Sequence, residues 1–197
     1  AVLSAGRVAG QTVLVQGGSG AVGRMSIEMA KRGGADVIAT AGTAERLALA
    51  RQAGADCVLN YRSDDVAAAV LERTGGRGAD LIVEVDFGAN AATDGACVAE
   101  NGRIASYSST SNRTPVLDYY AFALKGVRLH FIQASNMPDA LEAEASAAIS
   151  ALLAEGALRP PVAHVFGLDR AATAHALLES GQAGGKVVLD LQAPAGA

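Results

Sequence analysis

The segment at residues 16–23, Gln-Gly-Gly-Ser-Gly-Ala-Val-Gly, constrains the fold of this chain more than any other feature; it is called the glycine turn below. It follows the apolar run Thr12–Val15 and precedes a helical pattern, and a second strand-like run, Asp36–Ala41, completes the unit within about 30 residues. A strand, a tight glycine turn and a helix in this order form the unit that binds a dinucleotide, with the pyrophosphate at the helix N-terminus. The order of elements therefore predicts a dinucleotide-binding unit.

Each glycine of the motif has an expected task in such a unit. We expect Gly18 to make the sharp turn off the strand and Gly20 to let the backbone approach the phosphates. We expect Gly23 to let the helix pack closely on the sheet. A glycine-rich turn that binds nothing is the alternative, because a chain with 23 glycines contains such strings by chance.

The rest of the chain alternates apolar strand patterns with helical ones. This alternation predicts an α/β fold, a doubly wound parallel sheet of the Rossmann type with strand order 3-2-1-4-5-6. The further predicted strands are 55–60, 80–85, 103–107, 127–133 and 186–191, and the segment 161–166 is left without an assigned element. The further predicted helices are 43–53, 64–73, 90–100, 117–124, 138–155 and 169–179.

Composition excludes several classes of protein. The net charge is −4 and no basic run occurs, so no nucleic-acid partner is expected. Cys57 and Cys97 stand alone, which argues against a disulfide framework or a cysteine-built zinc site and favours a reducing, cytoplasmic location. No apolar run is long enough to span a membrane, so no membrane partner is expected.

The end of the second strand indicates which cofactor is bound. Enzymes that use NAD usually carry an acidic residue there for the ribose 2′-hydroxyl, but residues 38–42 read Ile-Ala-Thr-Ala-Gly. Asp36 lies at the opposite end of the strand. Arg46 and Tyr61 are expected near the ribose, and a guanidinium suits a 2′-phosphate, so the sequence predicts NADPH. The alternative is that Arg46 is an ordinary solvated helix residue.

These motifs together resemble the cofactor-binding half of the medium-chain dehydrogenase/reductases, and among them the zinc-independent quinone oxidoreductases of the zeta-crystallin type. The resemblance runs from about Gly10 to Leu191. The segments that carry it are 11–23, 41–46, 54–56, 60–62, 102–103, 174–181 and 184–189.

The resemblance implies a two-domain enzyme in which a GroES-like catalytic domain precedes this chain. Residues 1–9 would be the tail of the joining segment, residues 10–192 the NAD(P)-binding domain and residues 193–197 a C-terminal tail. No catalytic residue and no metal ligand is expected within the chain. The resemblance implies that Gly18, Gly20, Ala21, Val22 and Gly23 contact the pyrophosphate. It implies that Thr40, Arg46 and Tyr61 contact the adenosine ribose. Ser106 and the stretch from Phe131 to Gln133 would then lie near the nicotinamide.

Two departures from the family pattern bear on these contacts. Relatives often read Asp-Ser-Val-Gly after the fourth strand, whereas residues 84–88 here read Glu-Val-Asp-Phe-Gly. Glu84 and Asp86 are expected to be solvated carboxylates rather than ribose ligands. Some relatives also carry an arginine for the 2′-phosphate where this chain has Gly181, which weakens the case for NADPH.

The implied reaction is hydride transfer from reduced nicotinamide to a small quinone or conjugated enone. An enoyl reductase or a zinc-dependent alcohol dehydrogenase would share this domain, and an NADP(H) sensor or a structural module without turnover is the non-enzymatic alternative. In this family the strand at 126–133 pairs with its two-fold mate, so the sequence predicts a homodimer through that edge.

Overall fold

A computed structural model describes Val2 and residues 6–192, and at its centre lies a six-stranded parallel sheet. The strand order is β3-β2-β1-β4-β5-β6, which confirms the predicted doubly wound topology. The strands are β1 Thr12–Val15, β2 Asp36–Ala41, β3 Cys57–Asn60, β4 Ala79–Glu84, β5 Val98–Ser106 and β6 Arg128–Phe131.

Helices cover both faces of this sheet. The α-helices of the described residues are α1 Ala21–Arg32, α2 Ala44–Gln52, α3 Val66–Arg73, α4 Phe87–Cys97, α5 Tyr119–Ala123, α6 Asp139–Ala154 and α7 Ala171–Glu179, and the first five pack on this sheet. On one face, Val13 and Val15 pack with residues of α1 and α2 such as Ile27. On the other face, Leu14 packs with residues of α3 and α4 such as Val70. Because successive strand residues point to opposite faces, strands covered on both sides are apolar throughout, as β1 is.

The last two strands do not join this sheet. β7 Val162–Gly167 and β8 Lys186–Asp190 pair with each other in parallel and form a separate two-stranded sheet. Most of their residues are exposed or half-buried, in contrast with β1, β2 and β4. The predicted order therefore accounts for six of the eight strands.

One predicted boundary is wrong. The sequence suggested a helix over 90–100, but α4 begins at Phe87 and ends at Cys97, and β5 already starts at Val98. Asn101 has a left-handed backbone with φ of 56°, and the register between β4 and β5 shifts near Ala79 and Leu81. The strand thus contains an irregularity of the β-bulge kind where the sequence suggested the end of a helix.

The predicted tail 193–197 lies outside the described residues, as do residues 1 and 3–5 of the predicted joining segment. Across the described part of the chain, no helix combines the length and the apolar character needed to cross a membrane.

Candidate cofactor site

The glycine turn leaves β1 through a left-handed residue, and that residue is Gly17 rather than the expected Gly18. Gly17 has φ of +68°, a conformation that L side chains rarely adopt. Gly18 is needed for a different reason, since a Cβ there would lie 2.7 Å from the Cβ of Ala39 on β2 and 3.1 Å from the Cδ1 of Ile27 on α1. The two residues thus divide the task that the sequence assigned to Gly18 alone.

Gly20 and Gly23 differ sharply in the space around them. A Cβ on Gly23 would lie 2.3 Å from the carbonyl oxygen of Gly17 and 2.8 Å from the Cα of Gly18, so α1 packs directly on the backbone of the turn. A Cβ on Gly20 would meet only the oxygen of Gly17, at 3.6 Å. Gly20 is exposed, and its missing side chain leaves room on the outer side of the turn.

The N-terminus of α1 offers unpaired donors beside this open space. The helix starts at Ala21 with Gly20 as N-cap, and no side chain caps it. The amides of Ala21, Val22 and Gly23 therefore have no carbonyl within the helix to bind. No acidic residue stands in the first turn, and Val22 is 45% exposed. The helix dipole adds partial positive charge, so this end of α1 can bind phosphate oxygens.

Thr40 lies inside the protein rather than on the ribose surface where it was expected. Its side chain is 1% exposed, and its Oγ1 accepts the N–H of Gly17 at 3.1 Å. The same hydroxyl donates to the Oε1 of Gln16 at 2.8 Å, and the Thr40 carbonyl accepts the N–H of Gly18 at 2.8 Å. Thr40 therefore holds two peptide groups of the glycine turn.

The ribose corner, as we call Gly42, Arg46, Tyr61, Arg62 and Gly181, surrounds the end of β2. A Cβ on Gly42 would lie 2.5 Å from the Tyr61 hydroxyl and 3.1 Å from the Nε of Arg62. The Arg62 guanidinium carbon lies 6.0 Å from the centre of the Tyr61 ring. Arg46 stands in the first turn of α2, and its Nη2 donates to the Gly181 carbonyl. Apart from the buried Gly42, the residues of the corner are exposed. Its two arginines carry positive charge, and β2 itself ends without a carboxylate.

Two of the expected nicotinamide residues, Ser106 and Phe131, form a row with Glu84 across three strands. Glu84 of β4, Ser106 of β5 and Phe131 of β6 are register partners at the carboxyl ends of their strands. The Phe131 ring is 67% exposed and packs edge-on against Phe87, with ring centroids 6.2 Å apart. Ser106 is almost fully buried, and its hydroxyl donates to the Ser108 carbonyl, so mainly its backbone borders the surface. We call the whole line of strand ends, from β3 to β6, the cofactor edge.

Glu84 is not the solvated carboxylate that the sequence suggested. Its side chain is fully buried and accepts hydrogen bonds from the Asp86 N–H and from the Asn90 amide. Burial raises the pKa of Glu84, while these donors oppose the shift. Asp94 on α4 is equally buried, and burial first and the Glu84 charge second raise its pKa well above the ordinary value. Asp86, in contrast, is half-buried.

Three residues of this region escaped the sequence analysis. Arg62 belongs to the family segment 60–62, and its place directly after Tyr61 at the end of β3 is the sequence signal that points to it. Gln16 and Asp94 are 78 residues apart in the chain, and no local pattern connects them. Their hydrogen bond is visible only in the fold.

The described residues contain no group of three or more His, Cys, Asp and Glu side chains that could hold a metal ion. Cys97 is buried, and burial raises its thiol pKa to about 12. His175 is exposed on α7. The donors that this chain offers are therefore amides and guanidinium groups.

A dinucleotide phosphate fits this set of donors. The absent side chain at Gly20 leaves space for a pyrophosphate beside the unpaired amides of α1. The ribose corner lies at the end of the neighbouring strand β2, where the adenosine ribose is held in this type of fold. The site thus has both parts that such a ligand requires.

Comparison with known proteins gives the same picture. A family model described as "Zinc-binding dehydrogenase" matches residues 53–189. A quinone oxidoreductase of Sus scrofa is 31% identical over 188 residues, which are 92% of this chain and 55% of the pig protein. The chain thus spans about half the length of this relative.

Solved structures of full-length relatives superpose on the chain. An NAD-dependent alcohol dehydrogenase is 31% identical with a TM-score of 0.85, over 96% of this chain and 54% of its own. The Escherichia coli quinone oxidoreductase complexed with NADPH is 26% identical with a TM-score of 0.82, over 93% and 58% of the two chains. With a family match over more than half its length and a sheet of the same kind, this chain belongs to the zinc-binding dehydrogenases of the medium-chain dehydrogenase/reductase family, as a cofactor-binding domain.

Proposed function

We propose that residues 10–192 form the NADPH-binding domain of an oxidoreductase that reduces a small quinone or conjugated enone. The observation that carries the proposal is a glycine turn with free helix amides combined with Arg46 and Arg62 beside the end of β2. Bound reduced nicotinamide supplies the hydride, so the part of this chain is to bind and orient the cofactor.

The ribose corner favours a 2′-phosphate over a bare hydroxyl. An NAD enzyme commonly places a carboxylate at the end of β2, where it accepts the ribose hydroxyl. A carboxylate there would repel a phosphate, whereas two guanidinium groups donate charge-assisted hydrogen bonds to one. In this chain β2 ends at Ala41 and Gly42 follows, so the strand end itself carries no carboxylate. Arg46 and Arg62 lie beside it, and Glu45 is the acidic residue in the first turn of α2.

The relatives support both the reaction and the cofactor without deciding them. The pig relative is a quinone oxidoreductase, and the bacterial one was solved with NADPH. NADH is the second candidate cofactor, since another similar structure is that of an NAD-dependent alcohol dehydrogenase. One contact favours it, because the Gly181 carbonyl takes up a donor of Arg46 that a phosphate would otherwise use.

Calorimetric titration of the chain with NADPH and with NADH tests the proposal. A charge-assisted hydrogen bond contributes about 1.5–3 kcal/mol, and exposure reduces that value, so we expect NADPH to bind about tenfold tighter. Titration with 2′,5′-ADP against 5′-ADP isolates the effect of the 2′-phosphate. Equal or tighter NADH binding would overturn the choice of NADPH. If the chain bound neither dinucleotide, the proposal that this chain binds the cofactor by itself would be wrong.

We also propose that the chain forms a homodimer through the edge at 126–133. β6 lies at the end of the sheet order, so one side of its backbone has no neighbouring strand in the six-stranded sheet. Phe131 is exposed there and Leu129 is half-buried. An edge of this kind favours pairing with a second copy. Light scattering at micromolar concentration is expected to give twice the chain mass, and a monomeric mass would refute the pairing.

A cytoplasmic location completes the proposal. Both cysteines are free, and the one on α4 is buried, which fits a reducing compartment. Recovery of active protein from the cytosolic fraction of its source would support it, and recovery from a secreted fraction would contradict it.

A further inference from the structure

A line of buried polar groups runs from the glycine turn to the centre of the sheet, and we call it the buried polar line. The Gly17 N–H donates to the Thr40 hydroxyl at 3.1 Å, and that hydroxyl donates to the Gln16 Oε1 at 2.8 Å. The Gln16 Nε2 then donates to the Asp94 Oδ1 at 3.2 Å. The carboxyl groups of Asp94 and Glu84 are neighbours at the end of this line, and the charge on Glu84 acts on Asp94. The four side chains of the line are all buried.

The donors along this line place a proton on Asp94. Two carboxylates are acceptors only, so a hydrogen bond between them requires one proton. Glu84 accepts from the Asp86 N–H and from the Asn90 Nδ2, at 3.0 and 3.2 Å for its two oxygens. The Asp94 Oδ2 is buried and accepts no hydrogen bond from any donor among the described residues. This distribution of donors favours a proton on Asp94 Oδ2 and the negative charge on Glu84.

The surroundings keep that proton in place. Burial is the main factor that raises the pKa values of both carboxyls, and Asp86 adds a repulsive charge near Glu84. Tyr107, whose pKa burial raises to about 12, is a neutral neighbour of Glu84.

The titratable groups near Asp94 do not compensate a second negative charge. The Cys97 thiol stays neutral because its pKa is about 12. The Lys125 ammonium is directed to the carbonyl oxygens of Gly95, Ala96 and Val98. No described lysine or arginine donates to either carboxyl of the pair.

With one proton in place, every donor in the line points the same way, from the turn toward Glu84. Such a chain polarises each of its hydrogen bonds and ends on a charged acceptor. Thr40 is its last side chain before the turn, and its carbonyl also fixes the Gly18 N–H. The orientation of Thr40 thus follows from the state of a carboxyl pair on β4 and α4.

We propose that the singly protonated Glu84–Asp94 pair is a positioning element that acts through Gln16 and Thr40 to hold the glycine turn in its phosphate-binding conformation. In consequence Gly17 and Gly18 are bound internally while the amides of α1 stay free. The value of this conformation for NADPH rests on the function proposed above. The positioning itself does not depend on any ligand.

NMR of the ligand-free chain tests the positioning directly. We expect the carboxyl carbon of Asp94 to report a protonated group at neutral pH, and the Gly17 and Gly18 amide resonances to move when that proton is lost. Asp94→Asn retains a donor toward Glu84 and an acceptor for Gln16, so it should keep both amide resonances and remove their dependence on pH. An ionised Asp94 at neutral pH would overturn the proposal.

A second pair of variants separates positioning from general damage. Gln16→Leu breaks the line but leaves both carboxyls in place, and it should shift the Gly17 and Gly18 resonances and weaken NADPH and NADH binding alike, by about tenfold. Asp80→Asn is the matched control, since Asp80 lies at the opposite end of β4 and accepts the Thr12 N–H. It should leave the turn resonances unchanged.

The outcomes distinguish the two proposals. Unchanged turn resonances in folded Gln16→Leu would refute the positioning role, whatever the chain binds. If the wild-type chain bound neither dinucleotide while the resonances moved as expected, the positioning would stand and the cofactor proposal would fail.

Discussion

At the ribose corner the charged side chains are exposed, whereas at the centre of the cofactor edge they are buried. Arg46 and Arg62 lie on the surface and make few contacts with the rest of the protein. Glu84 and Asp94 are fully buried and belong to a line of hydrogen bonds that reaches the glycine turn. The ribose corner would contact the expected ligand directly, whereas the buried carboxyls would act on it only through the glycine turn.

The difference suggests a division of labour between choosing a ligand and shaping its site. An exposed arginine can be removed with little effect on folding, since ion pairs in solvent contribute little to stability. Removing a buried polar group lowers stability, because its hydrogen-bond partners are then left unsatisfied inside the protein. Substitutions at the ribose corner should therefore change the ratio of NADPH to NADH affinity, while substitutions at the centre should change both affinities together along with stability.

The largest effect is expected within the turn itself. Gly23→Ala places a methyl group 2.3 Å from the Gly17 oxygen, and the backbone must move to accept it. We expect the free energy of unfolding to fall by about 1–3 kcal/mol and the affinity for both dinucleotides to fall strongly. Urea denaturation and calorimetry measure the two quantities.

Gly20→Ala is the matched control for this variant. The added methyl meets only one atom, at 3.6 Å, so stability should stay nearly unchanged while the phosphate contact is obstructed. Equal destabilisation by the two variants would show that the close contact at Gly23 is not what makes the turn sensitive.

A smaller effect, set by pH, is expected at the centre. Folding raises the pKa of Asp94, so the folded chain holds this proton more tightly than the unfolded chain does. The contribution of the protonated Asp94 carboxyl to stability is fully present below the pKa that Asp94 has in the unfolded chain. It is lost as pH rises through the pKa that Asp94 has in the folded chain. For one proton the slope between these limits is about 1.4 kcal/mol per pH unit.

Asp94→Asn should flatten this slope, because the amide keeps the hydrogen bonds without titrating. Urea denaturation at a series of pH values compares the variant with the wild type and with Asp80→Asn, whose carboxylate shows no such link to the turn. A variant slope identical to the wild-type slope would assign the pH dependence to other groups.

The fold was predictable because its pattern is local. Runs such as Thr12–Val15 and Asp36–Ala41 are apolar enough to be read as buried parallel strands, and the structure has strands at these residues. The start of β5 was not predictable, since Val98 to Glu100 follow a helical pattern and the left-handed Asn101 is not visible in a periodicity. Here pairing with β4 overrides the local preference.

The site was predictable only where sequence neighbours act together. The turn lies between β1 and α1, Arg46 lies in the first turn of α2 and Tyr61 directly follows β3, although Gly17 rather than Gly18 adopts the left-handed backbone. Their contacts with a cofactor stay a prediction. The sequence predicts a solvated Glu84 because charged side chains are usually exposed, and this prediction is wrong. Its burial depends on Asn90 and Asp94, which only the packing of α4 on the sheet brings to it.

At the ribose corner the expected effect is selective. Arg62→Ala and Arg46→Ala should each lower NADPH affinity by up to about tenfold and leave NADH affinity almost unchanged. The double variant tests whether the two act on one phosphate, since their effects would then not be additive. Calorimetry with NADPH and with NADH measures the affinities of the single and double variants. Equal losses of affinity for the two dinucleotides would show that the ribose corner does not select between them.

The smallest effect is expected at the far end of β2, where Asp36 provides the control for the ribose corner. Its carboxylate forms an ion pair with Arg73 at 2.6 Å, and both side chains are more than a third exposed. Solvent screens such a pair, so Asp36→Asn should cost well under about 1 kcal/mol of unfolding free energy. Because Asp36 begins the strand whose other end faces the ribose corner, the variant should not alter the NADPH to NADH ratio. A changed ratio would mean that the charge at the distant end of β2 reaches the ligand, and the cofactor choice could then no longer be assigned to the exposed arginines alone.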